Sequence, residues 1–376
     1  MTPLSYCTNV HPAEDLAGVL AQLDRYAEPV RRLVGGDVLG LGLWLPAAVA
    51  GGLAEDAEQR AKLRAELDAR GLSVYTLNAF PYGGFHDEVV KHSVYVPTWM
   101  DPRRLEYTVD CATVLADLLG DDADYGSIST LPLAWRAPWG PADDAAAAAA
   151  LTDLTAILAG MADAHGRPIR IAVEPEPGCV LDNVTDAVRW LAPRVDPRFV
   201  GLCLDTCHLA VSFADPADAV AEIHAAGLDV VKVQASAALQ VDEPASEAAR
   251  TALADFTEPR YLHQVRERTE SGTVLGADDL PNAHTELPGT SPWRVHFHVP
   301  LHARPAAPLS ATTDVLRSAI SALRSTVDDK LPHIEVETYT WSVLPETAGN
   351  GGDTALIRGI AAELRWAAAQ LLGGIS

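Results

Sequence analysis

Two hydrophobic rhythms take turns along this chain. In one, branched apolar residues occupy every second position, the signature of a strand; in the other they return every three or four positions, the signature of an amphipathic helix. Strands are predicted over residues 4–10, 38–45, 73–80, 125–133, 169–174, 199–205, 229–235 and 333–338. Helices fit at about 13–34, 53–70, 102–119, 141–165, 182–193, 216–226, 311–326 and 353–372. Gly71, Gly120, Gly166 and Gly227 each follow a helical run, where a left-handed cap favours glycine, and Asp215-Pro216 reads as an N-cap with a first-turn proline. Strands that alternate with helices argue for parallel pairing through helical crossovers. The predicted fold class is therefore α/β, a (β/α)8 TIM barrel.

Residues 236–310 break the rhythm. They are polar, carry Pro244, Pro259, Pro281, Pro288 and Pro292, and hold one short alternating run, Trp293 to Pro300. Such a stretch inside a compact domain is usually a lid or small subdomain. The chain of 376 residues is read as one barrel domain, 1–376, with an insertion after the seventh strand.

The last four predicted strands all finish on metal-type ligands. They run Ile-Ala-Val-Glu174, Gly-Leu-Cys-Leu-Asp205, Val-Val-Lys-Val-Gln234 and His-Ile-Glu335-Val-Glu337. The strand period puts these polar ends on one face, and a closed barrel gathers them at its C-terminal mouth. Glu174, Asp205, Gln234 and Glu337 offer three carboxylates and one amide oxygen, a set suited to a single divalent ion (Mn, Zn, Co, Ni or Fe). Any one acid at a strand end is ordinarily a solvated or capping residue. Several converging without a cation would repel one another, which favours a shared site. His208 stands one turn beyond Asp205, within reach of a substrate oxygen. His296 and His298 share a face of the alternating run, and His298 either replaces or supplements Gln234 at the metal.

The composition narrows the partners. A formal charge of −23 disfavours nucleic acid and anionic membrane, leaving a small molecule as the expected ligand. The alanine run 145–150 is too short to span a bilayer and is flanked by Asp143, Asp144 and Asp153, so no membrane insertion is expected. Five cysteines at irregular spacing read as reduced, buried thiols of a cytoplasmic protein.

These residues resemble the xylose isomerase-like TIM-barrel superfamily of sugar phosphate isomerases and epimerases. V-E-P carries Glu174, L-D-T-C-H carries Asp205 and His208, and V-E-T carries Glu337; Gln234 departs from the histidine or acid expected at the seventh strand. Within that superfamily the chain is similar to the EboE metabolite traffic family. The segments that carry this likeness include Cys7-Thr-Asn9-Val-His11-Pro, Asn78-Ala-Phe80-Pro-Tyr82-Gly-Gly-Phe85-His86, Lys91 to Pro97, Tyr261-Leu-His263-Gln264 and Val295-His296-Phe-His298-Val-Pro. The resemblance implies an isomerase or epimerase with Asn9, His11, Asn78, Tyr82, His86, Lys91, His263 and His296 around its substrate. Tyr82, Phe85 and Trp99 would supply apolar walls.

The expected activity is metal-dependent isomerisation or epimerisation of a sugar- or cyclitol-like polyhydroxy carbonyl compound through an enediolate. Glu174 and Glu337 would exchange base and acid roles while His208 holds an oxygen. The alternative is a metabolite-binding or traffic protein without turnover. A zinc-dependent, endonuclease IV-like phosphodiesterase ranks lower, since the acidic surface opposes DNA.

Overall fold

A computed structural model describes residues 4–326, 330–345 and 351–373. The eight predicted core strands are present: β1 Leu4–Cys7, β2 Leu39–Trp44, β3 Leu72–Asn78, β4 Gly126–Thr130, β5 Ile169–Val173, β6 Val200–Asp205, β7 Val230–Ala235 and, after the insertion, β13 His333–Val336. Every pairing among them is parallel, and the order β1-β13-β7-β6-β5-β4-β3-β2 closes into a barrel. The alternation sorts the side chains. Ile171, Val173, Leu202, Leu204 and Val233 pack outward in the apolar core shared with the helices, while Lys232 reaches Glu335 inside the barrel.

The helices mostly follow the predicted runs, including Pro102–Leu118, Pro141–His165, Val184–Leu191, Pro216–Ala225 and Thr313–Thr326. Asp215 caps its helix through the amides of Ala217 and Asp218. The first predicted helix is interrupted, however, by a π-turn at Leu23–Ala27. The second divides into Ala47–Glu55 and Ala57–Ala69, because Asp56 turns its side chain into an N-cap for the latter piece. Pro141–His165 is, by length and mean hydropathy (1.6), able to cross a membrane; in the fold it lies among the barrel helices, with Ala147, Leu151, Leu154 and Leu158 buried.

The stretch 236–310 is far more ordered than its proline content suggests. It builds an antiparallel sheet in the order β10-β9-β11-β8-β12, from β8 Leu239–Val241, β9 Val265–Arg268, β10 Val274–Ala277, β11 Trp293–Val295 and β12 Leu309–Ala311. Glu267 ties it together by accepting bonds from the amides of Gly289, Thr290 and Ser291 and from the Trp293 indole. The chain leaving β11 runs over the barrel mouth. Phe297 is buried against Phe256 and His263 there, and both flanking histidines reach the cavity at the mouth.

Candidate functional site

The site sits at the strand ends, as barrel topology requires. Glu174 follows β5, Asp205 ends β6 and Glu337 follows β13. Their ligand oxygens all lie within 4.8 Å of one another. Asp205 is anchored on one side only: Oδ1 accepts from Ser236 Oγ and from the His208 amide, both at 2.8 Å, while Oδ2 is buried without a protein partner. The second of those bonds is also the N-cap of the short helix Thr206–Val211, which carries His208. Glu337 Oε1 accepts from Asn9 Nδ2 and Asn78 Nδ2, each at 2.8 Å. Glu174 Oε2 likewise has no partner.

Nitrogen reaches this acidic group from the insertion. His298 fixes its ring by bonding Nδ1 to the Glu337 carbonyl at 2.8 Å. Its Nε2, buried and unpartnered, faces Asp205 Oδ2 at 3.8 Å. Gln234 lies in register with both Asp205 and Glu335 and is fully buried, with neither amide atom bonded.

Burial and mutual repulsion dominate the electrostatics. Burial, then the charges of Glu337 and Asp205, push the Glu174 carboxyl well above its ordinary range. Burial, then Asp205 and Glu335, do the same to Glu337. His298 is driven down to about 4 by burial, and His296 well below its usual value by burial and by neighbouring His208 and His298. Three carboxyl groups brought together, with Glu174 and Glu337 held where they ionise poorly, beside the His298 imidazole, match the donor set of a divalent cation. The orphaned atoms of Glu174, Asp205 and His298 are what such an ion would satisfy.

The cavity above is lined by Glu174, Glu337, His208, His296 and His298 on its polar side and by aromatic and aliphatic side chains opposite. Tyr261 and Tyr339 close it, with Phe85 against both rings at 5.2 and 5.5 Å. Lys91 reaches the lining, but its ammonium is paired with Asp279 at 2.6 Å. Asn9 and Asn78 also line the cavity, each donating from Nδ2 to Glu337.

The other expected contacts lie elsewhere. His11 is buried away from the cavity, stacked on Tyr26 at 4.2 Å and bonded to the Tyr6 hydroxyl; burial lowers it to about 3. Tyr82 packs edge-on against Tyr107, and Trp99 is buried in the main core. His86 bonds the Asn9 carbonyl at 2.7 Å and lines a separate recess with Tyr26 and Trp341. His263 stands behind the wall, clasped between Glu258 and the His296 carbonyl.

Sequence reasoning missed Glu176 as a site residue. Its carboxylate lines the cavity and accepts from Tyr95 at 2.7 Å and Gln264 at 3.1 Å. The signal was its position two residues beyond Glu174. Tyr339 was missed too, since it follows the last strand in a 3-10 turn without a pattern of its own.

Solved structures with this architecture superpose over nearly the whole chain at low identity. D-psicose 3-epimerase from Clostridium cellulolyticum H10, determined with D-tagatose, is 14% identical, with 99% of each chain covered and a TM-score of 0.53. An L-ribulose 3-epimerase is 12% identical, with 98% of this chain and 96% of the other covered and a TM-score of 0.51. The IolI protein with a bound zinc atom is 12% identical, with 97% and 99% covered and a TM-score of 0.50. No curated protein matches the sequence. The family model for the xylose isomerase-like TIM barrel matches residues 43–251. With its closed parallel barrel and that match across more than half its length, the chain belongs to the xylose isomerase-like TIM-barrel family.

Proposed function

We propose that this protein is a metal-dependent isomerase or epimerase acting on a sugar- or cyclitol-like polyhydroxy carbonyl compound. The observation that carries the reading is the convergence of Glu174, Asp205, Glu337 and His298, with buried donor atoms left unsatisfied by the protein. These residues would hold one divalent ion, with Gln234 as a further oxygen donor beside them. When bound, the ion polarises a substrate carbonyl and its neighbouring hydroxyl, which acidifies the carbon-bound proton between them.

The chain's own groups do the rest. Glu174 and Glu337 enter the cavity from β5 and β13, elements separated by β6 and β7 in the barrel order, so they address a substrate from different sides. One would serve as base while the other serves as acid, and an enediolate connects the two proton transfers. Asn9 and Asn78 keep Glu337 in place through that exchange. His208 stands in the cavity wall beside them, and the rings of Phe85, Tyr261 and Tyr339 exclude water from the reacting carbon.

Solved ketose 3-epimerases share this fold, which is consistent with the proposal; its argument rests on the donor set. The finer likeness to the metabolite traffic family fits a cyclitol as readily as an open ketose. The test combines metal content with isotope exchange. Wild-type protein should retain metal and wash solvent deuterium into a ketose or inosose from a panel. A Glu174→Ala, Asp205→Ala variant should retain no metal at that site. A wild-type protein that binds no metal, even after soaking, would defeat the proposal.

A further inference from the structure

Three histidines at the mouth are wired alike. His208 Nδ1 donates to the Pro175 carbonyl at 2.9 Å, His298 Nδ1 to the Glu337 carbonyl at 2.8 Å, and His296 Nδ1 to Gln264 Oε1 at 2.7 Å. The orientation of Gln264 is dictated by its other end. That atom lies 3.0 Å from the Pro177 carbonyl and 3.1 Å from Glu176 Oε1. Both of those accept, so it must be the NH2 group, and the atom facing His296 is the oxygen. With the δ protons committed, each neutral ring carries its lone pair on Nε2.

For His298 that lone pair turns toward Asp205. For His208 and His296 the two Nε2 atoms point at each other, 3.0 Å apart. Two lone pairs at that distance repel unless something positive lies between them. Moving a δ proton to either Nε2 would break the bond to Pro175 or to Gln264. Two nitrogens held tetrahedrally on one zinc stand about 3.3 Å apart, within a small side-chain adjustment of the distance here. Carbonyl and amide groups that fix the far nitrogen are also the usual outer support of a metal-binding imidazole.

We propose that His208 and His296 form a second metal site, selective for a zinc-type divalent ion, beside the one assigned to Glu174, Asp205, Glu337 and His298. Glu176 is the acid beside the pair, its carboxylate and one nitrogen of each ring lying within 4.8 Å of one another, with Oε1 3.6 Å from His296 Nδ1. Two imidazoles favour zinc, copper or nickel over magnesium, calcium or manganese. The two sites use different atoms, so this one goes beyond the single-ion reading without depending on it.

The test is a zinc titration of chelator-stripped protein, with bound metal counted by elemental analysis and folding followed by near-UV circular dichroism. Wild type should take two equivalents, His296→Gln one, and Asp205→Asn one. In parallel, nitrogen-15 spectra of labelled wild-type protein should show unprotonated Nε2 in both His208 and His296, each signal moving as the second equivalent binds. One equivalent in both wild type and His296→Gln would overturn the second site and leave the first standing. None in wild type would overturn both. If His296→Gln does not fold, the spectra decide: a proton shared between the two rings that zinc does not displace overturns the proposal.

Discussion

Two layers of charge occupy the same barrel interior and are balanced in different ways. Lower down, Lys232 and Glu335 form an ion pair at 2.7 Å with neither side chain exposed to solvent. Lys232 also reaches Leu77 O and Ser129 Oγ. Gly42 leaves the room Glu335 needs, since a Cβ there would come within 1.1 Å of Oε1. At the mouth, Glu174, Asp205 and Glu337 bring three carboxylates together, and the lysine in the cavity wall, Lys91, is already paired with Asp279. Buried charge is tolerable when the protein supplies the counter-ion. The lower carboxylate has a lysine of the protein as its counter-ion, whereas the upper three meet one another with Glu174 Oε2 and Asp205 Oδ2 unpartnered.

The sharpest way to break this comparison is to neutralise one charged side chain in each layer. Glu174→Gln should lower turnover by about 10²–10⁴-fold, the range for losing a general acid–base, with thermal stability unchanged or improved in metal-free protein. Turnover within twofold of wild type would remove Glu174 from the chemistry. Lys232→Met should cost roughly 3–5 kcal/mol by urea unfolding, because it strands Glu335. Replacing both members, Lys232→Met with Glu335→Leu, should recover most of that loss. Were the single and double variants equally unstable, the pair would not be the source of the penalty.

Buried histidines below and beside the mouth give the next effect. His11 and His333 are held neutral, each lowered to about 3, chiefly by burial. A depressed pKa contributes stability that is fully present above the unfolded value of about 6.5 and is lost as pH falls toward the folded one. Stability should therefore drop by up to roughly 1.4 kcal/mol per pH unit for each ring between pH 6.5 and about 3. His11→Gln should flatten that slope in denaturation curves taken at pH 7, 5 and 4. The smallest expected change is at the support of Glu337. Asn78→Ala removes one of its two donors and should weaken metal binding about 10- to 100-fold while leaving the fold intact; unchanged affinity by calorimetry would deny Asn78 that role.

Much of this was legible before any coordinates. Branched residues alternating against Ala172, Cys203 and Lys232 announced strands whose polar ends must meet. That logic located Glu174, Asp205 and Glu337. It served less well where strands are short: β8, β11 and β12 have three residues each, too few for an alternation to stand out. The insertion therefore read as a loop with one strand. It also misplaced His11, which follows β1 but turns back onto Tyr26. The choice between Gln234 and His298 depends on a chain crossing the mouth from another sheet, and no local pattern encodes that crossing.

The insertion has a consequence for how this protein can be trimmed or varied. His296 and His298 travel on the segment leaving β11, whose register is set by antiparallel partners in β8 and β9. The added sheet thus brings two of the histidines to the mouth and is not a detachable cover. A deletion between β8 and β12 that spared every barrel strand would still take His296 and His298 from the mouth, leaving His208 beside the acids and shifting any metal preference toward harder cations such as magnesium. Exchanging this ornament among barrels of the same shape would exchange metal preference with it.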